Sequence, residues 1–373
     1  MKILQIIRQF SPSSGGEYNV CYNLSKHLCE MGHEVTILTT DMYSDTNITC
    51  FSPNVQIISF HCRINIAGFV YAPSMKKWLS KNVRMYDVIH IHSYRGYHVK
   101  LASKYAVKYG IPYIIQPHGS YSRIVEKQGM KKLFDIVWGN NILEGAQKII
   151  AVSKYEQKSF LEGGIISGKI QLIYNGLPVD RFSTDVSCGS VVSEDESADK
   201  TILYLGRLHQ RKGLEFLIRA FHELSLRNPS IKLHIVGTGD KTYARDLINL
   251  CHDLGLGNKV VFLGFIDDEK KEYAQADVLV YPSYSEIFGL VPFEAILCGT
   301  PVIVTDDCGC GEIIQQMDAG YLVHYDDVKG LADQIEYVLS HPVESSQKVQ
   351  RGKEYIMAHL SWEIIAKEFE MIY

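Results

Sequence analysis

At 373 residues the chain is longer than one hydrophobic core comfortably supports, which points to two domains of ordinary size. It is 46% hydrophobic and 21% charged, as in a globular protein, and no apolar run approaches the roughly 18 residues of a membrane span. The net charge of −4 hides an asymmetry: residues 1–180 carry 20 Lys and Arg against 12 Asp and Glu, whereas the remainder carries 18 against 30.

The opening residues, Met1 to Arg8, are too soon interrupted for a signal peptide and read as a buried first strand. Apolar runs follow near 35–39, 56–60, 87–91, 112–115, 148–152 and 170–174, with amphipathic segments between several of them. That alternation is the pattern of a parallel sheet wrapped by helices. One such helix, Val20 to Leu28, is closed by Gly32, a residue suited to the left-handed conformation at a helix C-terminus. Between the first strand and this helix lies Ser11-Pro12-Ser13-Ser14-Gly15-Gly16-Glu17, whose glycines allow close backbone approach and whose helix start offers N–H groups to an anion. A tight turn without a ligand accounts for Gly15-Gly16 equally well. Lys76, Lys77, Lys81 and Arg84 are spaced along one predicted helix, and Lys127, Lys131 and Lys132 follow further on. They make an anionic membrane surface a candidate partner of the basic half; nucleic acid is not expected as one. After the strand near 112–115 comes Gln116-Pro117-His118-Gly119-Ser120, where a histidine can bond a sugar or steer a proton, or be structural.

Asn175-Gly176-Leu177-Pro178 breaks the pattern, and Ser183 to Lys200, rich in Ser and acidic residues, reads as a loop near a domain boundary. Its Glu194-Asp195-Glu196 run is read as solvated charge, since nothing there fixes ligand geometry for a metal. The alternation restarts, with strands at 201–205, 231–236, 260–263, 277–281, 301–304 and 321–323 and helices near 213–226, 241–254, 268–275 and 291–298. Leu205-Gly206-Arg207-Leu208 and Lys212-Gly213 place two cations after a strand, which suits a pyrophosphate leaving group. Glu286-Ile287-Phe288-Gly289-Leu290-Val291-Pro292-Phe293-Glu294 sets two carboxylates across a loop and the next helix, with Pro292 inside the first turn. Carboxylates there accept hydrogen bonds from hydroxyls, while N–H groups at the helix start satisfy phosphate oxygens. The nine cysteines form no Cys-x-x-Cys pair, and Cys308 and Cys310 read as small residues in a tight loop. A reducing cytoplasm fits this usage, with peripheral attachment to the inner membrane face as an extension of the basic half. The expected domains are 1–180, 181–360 and a helix, 361–373, returning towards the first domain. The ligand of two tandem doubly wound domains is expected in the cleft where the carboxyl ends of their sheets meet.

Glu286 and Glu294, with Phe288-Gly289-Leu290 between them, resemble the E-x7-E motif of the family 4 retaining glycosyltransferases, which have the GT-B fold of two Rossmann-like domains facing across a cleft. Gly15-Gly16, His118-Gly119, Asn175 to Asp180, Gly206-Arg207-Leu208, Lys212-Gly213 and Ala295 to Pro301 extend the resemblance over nearly the whole chain. It implies that Arg207 and Lys212 bind the donor diphosphate, that Glu286 holds sugar hydroxyls and Glu294 the ribose, that Gly16 lies near the phosphates and acceptor, that Gly206 binds the donor, and that His118 lies near the sugar. Phe288, Gly289 and Leu290 would bind the donor, and Gly264-Phe265 resembles the segment whose backbone reads the base. The implied activity is transfer, with net retention, from a UDP- or GDP-linked sugar to a glycan or glycolipid hydroxyl, in cell-surface polysaccharide or lipid-linked glycan synthesis. No cofactor and no metal are implied, and no Asp-x-Asp follows a strand. Tyr94, Arg95 and Tyr97 are acceptor candidates, as aromatic residues suit sugar stacking, although core packing explains them nearly as well. One departure is Asp307-Cys308-Gly309-Cys310-Gly311-Glu312, where the family often has a glycine-rich stretch ending in Pro-Glu. The rival readings are a nucleotide-sugar epimerase of similar architecture and a non-catalytic nucleotide-sugar-binding relative. A dinucleotide oxidoreductase is a third reading, but the chain has only Gly15-Gly16 and no G-x-G-x-x-G after the first strand.

Overall fold

The computed structural model describes residues 1–12, 15–42, 52–66, 69–121, 128–183 and 199–373; Ser13, Ser14, Lys127 and the Glu194-Asp195-Glu196 run lie outside them. The chain divides into two compact units, one of Met1–Gly176 with Trp362–Tyr373, the other of Leu177–Ser361.

In the first unit the strands are β1 (Lys2–Gln9), β2 (Glu34–Thr40), β3 (Val55–Phe60), β4 (Ile64–Ile66), β5 (Phe69–Tyr71), β6 (Val88–His92), β7 (Tyr113–Gln116), β8 (Lys148–Ala151) and β9 (Ile170–Leu172). Seven of them form one sheet in the order β3-β2-β1-β6-β7-β8-β9, every pairing parallel. The seven apolar runs of the sequence are these strands. The small antiparallel hairpin β4–β5 is an addition that the apolar pattern does not reveal. Strand β1 is buried on both faces: Leu4 and Ile6 enter one core, Ile3 and Ile7 the other. A near-continuous apolar run is what a central parallel strand requires. Gly32 takes φ 90° just past the helix Gly16–Glu30, as a left-handed stop should.

The helix Trp362–Glu370 completes this unit's second core with Trp362, Ile365, Ala366 and Phe369, against Val20, Leu24 and Leu28 of the first helix. Each such buried apolar side chain contributes about 1.5–3 kcal/mol. Gly176 is required beneath the Trp362 ring, because a Cβ there would lie 2.3 Å from it.

The second unit holds β10 (Lys200–Leu205), β11 (Ile231–Val236), β12 (Val260–Gly264), β13 (Val278–Tyr281), β14 (Val302–Thr305) and β15 (Tyr321–Val323). They form a parallel sheet in the order β12-β11-β10-β13-β14-β15. Strand order therefore runs outward in one direction from β10 and in the other from β13. The crevice at the carboxyl ends of such a reversal is where open α/β sheets bind ligands. The helix Leu214–Arg227 buries Leu214, Leu217, Phe221 and Leu224 on this sheet, and the helices Val328–Ser340 and Pro342–His359 add elements beyond the sequence reading.

Candidate active site

In the second unit the loops after β10 and β13 are fused by backbone contacts. Gly213, at φ 67°, leaves no room for a side chain: a Cβ there would lie 2.0 Å from the Pro282 carbonyl oxygen. The Ser283 hydroxyl and the Tyr284 N–H both donate to the Arg211 carbonyl, at 3.0 and 3.1 Å. This junction brings Lys212 against Glu286, with the Lys212 ammonium donating to Glu286 Oε2 and, at 2.6 Å, to the Tyr281 hydroxyl. Tyr281 in turn donates to Glu286 Oε2 at 3.0 Å. Burial alone would raise the Glu286 carboxyl, but the Lys212 charge and hydrogen bond, with Tyr281, bring it below its ordinary range. Glu286 is thus a carboxylate. Arg207 lies on the same loop with an exposed side chain and no ion pair among the described residues. Its carbonyl accepts from the Tyr204 hydroxyl at 3.0 Å, which anchors the backbone and leaves the guanidinium outward.

Glu294 sits in the first turn of the helix Val291–Cys298, with Pro292 beside it. The Tyr273 hydroxyl donates to its Oε2 at 3.0 Å, and burial pushes the carboxyl up to about 7. Gly289 needs its φ of 74°, and Phe288 turns its ring into the core, 5.3 Å from that of Phe293. Leu290 is the residue before this helix, and its carbonyl accepts from the Phe293 and Glu294 N–H groups at 3.0 and 3.1 Å. Gly264 ends β12 at φ 70°, and its carbonyl accepts from the Gly237 N–H at 2.7 Å. The Phe265 side chain beyond is 73% exposed. Gly206 takes φ 153°, with Gly237 stacked on its carbonyl so closely that a Cβ would approach to 1.9 Å.

Asp307 to Glu312 is not a loop throughout: Cys308 caps a helix, Gly309–Met317. The Gly309 N–H donates to the Glu286 carbonyl at 2.8 Å, and a Cβ on Gly309 would meet the Ile287 carbonyl oxygen at 1.8 Å. This contact is how the departing segment seats against the Glu286 loop.

In the first unit, Gly15 takes φ 71° and Gly16 begins the first helix. The next residue, Glu17, accepts from the Ser93 hydroxyl at 2.6 Å across the reversal between β1 and β6, and burial raises its carboxyl. His118 follows β7 in the left-handed region, at φ 51°, and its Nε2 lies 2.9 Å from His92 Nδ1. The turn is held by the buried Glu156, which accepts from the Gly119 N–H at 2.7 Å and the Val152 N–H at 3.0 Å; burial pushes its carboxyl up to about 7.

Two of the three acceptor candidates need correction. Tyr94 is 1% exposed and packs on Tyr121 and Phe134, so it offers no stacking face. Arg95 is committed to a two-pronged pair with Asp135, at 2.9 and 2.7 Å, and to the Ser120 and Tyr121 carbonyls. Tyr97 stands edge-on to Tyr71, 4.9 Å between centroids. Packing occupies Tyr94 and ion pairing Arg95, whereas Tyr97 is only half-buried. The sequence reading passed over Tyr281, Tyr273, Gln5, His92 and Glu156. Their common signal is a polar residue within or just past an otherwise apolar strand or helix face.

Two doubly wound α/β units with a charged, hydroxyl-rich crevice at a strand-order reversal define the GT-B fold. Residues 14–181 match Glycosyltransferase Family 4, and residues 191–355 match Glycosyl transferases group 1. An uncharacterized glycosyltransferase of Methanocaldococcus jannaschii is 31% identical, over 100% of this chain and 98% of its own. The chain belongs to the glycosyltransferase family. A GDP-mannose:cellobiosyl-diphosphopolyprenol alpha-mannosyltransferase of Xanthomonas oryzae is 25% identical, over 91% of this chain and 88% of its own. The solved structure of sucrose-phosphate synthase from Thermosynechococcus elongatus is 25% identical, with a TM-score of 0.78 over 100% of this chain and 98% of that one.

Proposed function

We propose that the protein transfers a sugar, with retention, from a UDP- or GDP-sugar to a glycan or glycolipid hydroxyl in cell-surface polysaccharide or lipid-linked glycan synthesis. The observation that carries this reading is the half-buried Lys212–Glu286–Tyr281 cluster beside the outward Arg207. Arg207 and Lys212 supply positive charge for a departing diphosphate, so the chemistry assigned here uses no metal. Glu286, already held as a carboxylate, accepts from sugar hydroxyls, and Glu294 from the ribose. Gly16, Gly206, Gly289 and Leu290 serve the phosphates through their backbone, Gly264 and Phe265 the base, and His118 the sugar. The alpha-mannosyltransferase relative acts on a diphosphopolyprenol-linked acceptor, which supports a lipid-linked acceptor here.

Thermal-shift measurements with UDP, GDP, ADP and their sugar conjugates test the donor site, since a ligand bound only by the folded state raises stability by about 2.7 kcal/mol at roughly a hundred times its dissociation constant. One nucleotide should shift the native protein and Glu294→Ala less. Turnover with EDTA present, and the anomeric configuration of the product, test metal independence and retention. Release of free sugar whether or not an acceptor is added would favour the epimerase reading, and binding without turnover the non-catalytic one.

An anionic bilayer is the proposed membrane partner. Leu133, Ile136 and Val137 are exposed at 61%, 67% and 46%, on helical segments that also carry Lys131 and Lys132. Beside them a groove of about 690 Å³ is lined by Lys100, Lys104, Val107 and Trp138. Apolar side chains rimmed by lysine suit the headgroup boundary of anionic lipid. Among the described residues no helix is long and apolar enough to cross a membrane. Vesicles containing anionic lipid should retain the protein at low salt and neutral vesicles should not; equal retention by both removes this partner.

A further inference from the structure

Gln5 interrupts the apolar run of β1 and is fully buried, as are His90 and His92 in β6 beside it. His92 Nε2 lies 2.7 Å from Gln5 Oε1, and His92 Nδ1 lies 2.9 Å from His118 Nε2. In the other direction the Gln5 amide donates to the Tyr373 hydroxyl at 3.3 Å, and that oxygen lies 2.8 Å from His90 Nδ1. The His92 and His118 rings stack with centroids 5.3 Å apart. Burial keeps both neutral, His92 well below its ordinary value and His118 lowered to about 3.

A neutral imidazole carries one N–H and one bare nitrogen, so each link in this chain fixes the next. With the Gln5 carboxamide oxygen facing His92, the His92 hydrogen is on Nε2 and its Nδ1 is bare. A bare Nδ1 requires the hydrogen of His118 on Nε2, which leaves His118 Nδ1 as a lone pair. Reversing the carboxamide would reverse every step. The far end of the chain selects between the two. In the first arrangement Tyr373 donates to His90 Nδ1, so His90 carries its hydrogen on Nε2. That atom and Gln116 Oε1 are both buried and lack a partner among the described residues, and the Gln116 side chain favours the protonated His90 ring. Gln116 is the side chain that acts on this ring, so an Nε2–H offers its oxygen a donor nearby, whereas the reversed chain offers it none.

We infer that Gln5, acting through His92, holds His118 in the Nε2–H tautomer, so that His118 presents a lone pair that recognises a hydroxyl hydrogen on the transferred sugar. This rests on the proposed assignment of His118 to the donor sugar. Gln5 and His92 are positioning residues. The sugars selected are neutral ones with a hydroxyl at the contacted position; a deoxy analogue gives the lone pair no hydrogen, and a carboxylate repels it.

Full-length protein labelled with nitrogen-15 histidine, read by long-range proton–nitrogen correlation, reports each ring's tautomer. Wild-type His118 should show N–H at Nε2 and a bare Nδ1. Gln5→Met should give a mixture of tautomers and lower kcat/KM about ten-fold, the loss of one tautomer-dependent hydrogen bond. A wild-type Nδ1–H pattern overturns the inference, and that spectrum needs no variant to fold. A folded Gln5→Met with one unchanged tautomer overturns the role of Gln5. If the tautomer is as expected but His118→Ala keeps wild-type kcat/KM, the sugar assignment of His118 fails while the relay stands.

Discussion

A carboxylate withdrawn from water keeps its charge only when cations and hydroxyls answer it, and Glu286 is answered by Lys212 and Tyr281 together. Removing the cation alone leaves a poorly solvated negative charge, so Lys212→Met should cost about 2 kcal/mol of stability, whereas Glu286→Gln, whose amide oxygen still accepts from Lys212 and Tyr281, should cost less. Both should abolish transfer if the cluster binds the donor. Denaturant unfolding beside activity separates the two effects. Glu294 makes a prediction of opposite electrostatic sign. Its carboxyl rises from an ordinary 4.5 to about 7, so between those pH values the folded chain holds a proton that the unfolded chain has released. Stability from this group is therefore lost as pH rises through that window and is level above it. Glu156 rises to about 7 for the same reason and adds to the slope. The buried neutral histidines set an opposite trend below about pH 6.5, so the test is the difference from wild type: from pH 4.5 to 7.5, the unfolding midpoints of Glu294→Gln and Glu156→Gln should each gain on those of wild type as pH rises. Nucleotide affinity should rise towards pH 7 and above, where Glu294 becomes the better acceptor, and Glu294→Gln should remove that rise.

The elements that carry these residues are joined backbone to backbone, and glycines mark the joints. Gly309→Ala would drive a methyl into the Ile287 carbonyl, with no flexible side chain to yield, so the Gly309–Met317 helix must lift from the Glu286 loop. A loss of about 2 kcal/mol or more and weaker nucleotide binding are expected. Gly129→Ala is the contrast: it lies in a helix with nothing within 4 Å and should be neutral or raise stability by up to about 1 kcal/mol. A Gly309→Ala protein with unchanged melting temperature and nucleotide shift would contradict the seating described here. What the sequence displays follows the same logic of local against distant. The apolar strands, the Gly32 stop and the Glu286-to-Glu294 spacing are written within a few residues. Lys212 and Glu286 are each marked by the sequence, but their contact is not, because the partners lie 74 positions apart and meet only when β10 and β13 become neighbours. His92 and Gln5 are 87 apart. Tyr94 and Arg95 mislead because an aromatic–arginine pair in a loop after a strand reads alike whether its partner is a sugar or Asp135. The helix at Gly309 is hidden by Gly-Cys-Gly, a weak helix start, and the hairpin Ile64–Tyr71 by strands of only three residues.

At the scale of the molecule the chain crosses from the first unit at Gly176 and rejoins it at Trp362, so the first unit is not a continuous stretch of sequence. Its second core is completed only by the last residues: Trp362, Ile365 and Phe369 are buried with Ile3, Ile7 and Leu28, and Tyr373 reaches Gln5 and His90. Truncation after Ser361 would expose that core, and the loss of three large buried side chains, each contributing about 1.5–3 kcal/mol, rivals the whole stability of an ordinary domain. The second unit keeps all its strands and its own core in Leu177–Ser361. Hydrogen exchange on the truncated protein should therefore show β1, β6 and the helix Gly16–Glu30 losing protection while β10 to β15 keep theirs. The nucleotide that stabilises the full chain should still protect the loops at 206–213 and 282–290, because, of the diphosphate and ribose contacts proposed for it, only Gly16 lies in the first unit, and Gly206, Arg207, Lys212, Gly289, Leu290 and Glu294 remain. Loss of protection throughout the second unit on truncation would show that its fold depends on the first. Retained protection without a nucleotide effect would move the donor-binding groups out of the second unit. Phe369→Ala gives a graded version of the same experiment, expected to cost about 3–5 kcal/mol with its effect confined to the first unit.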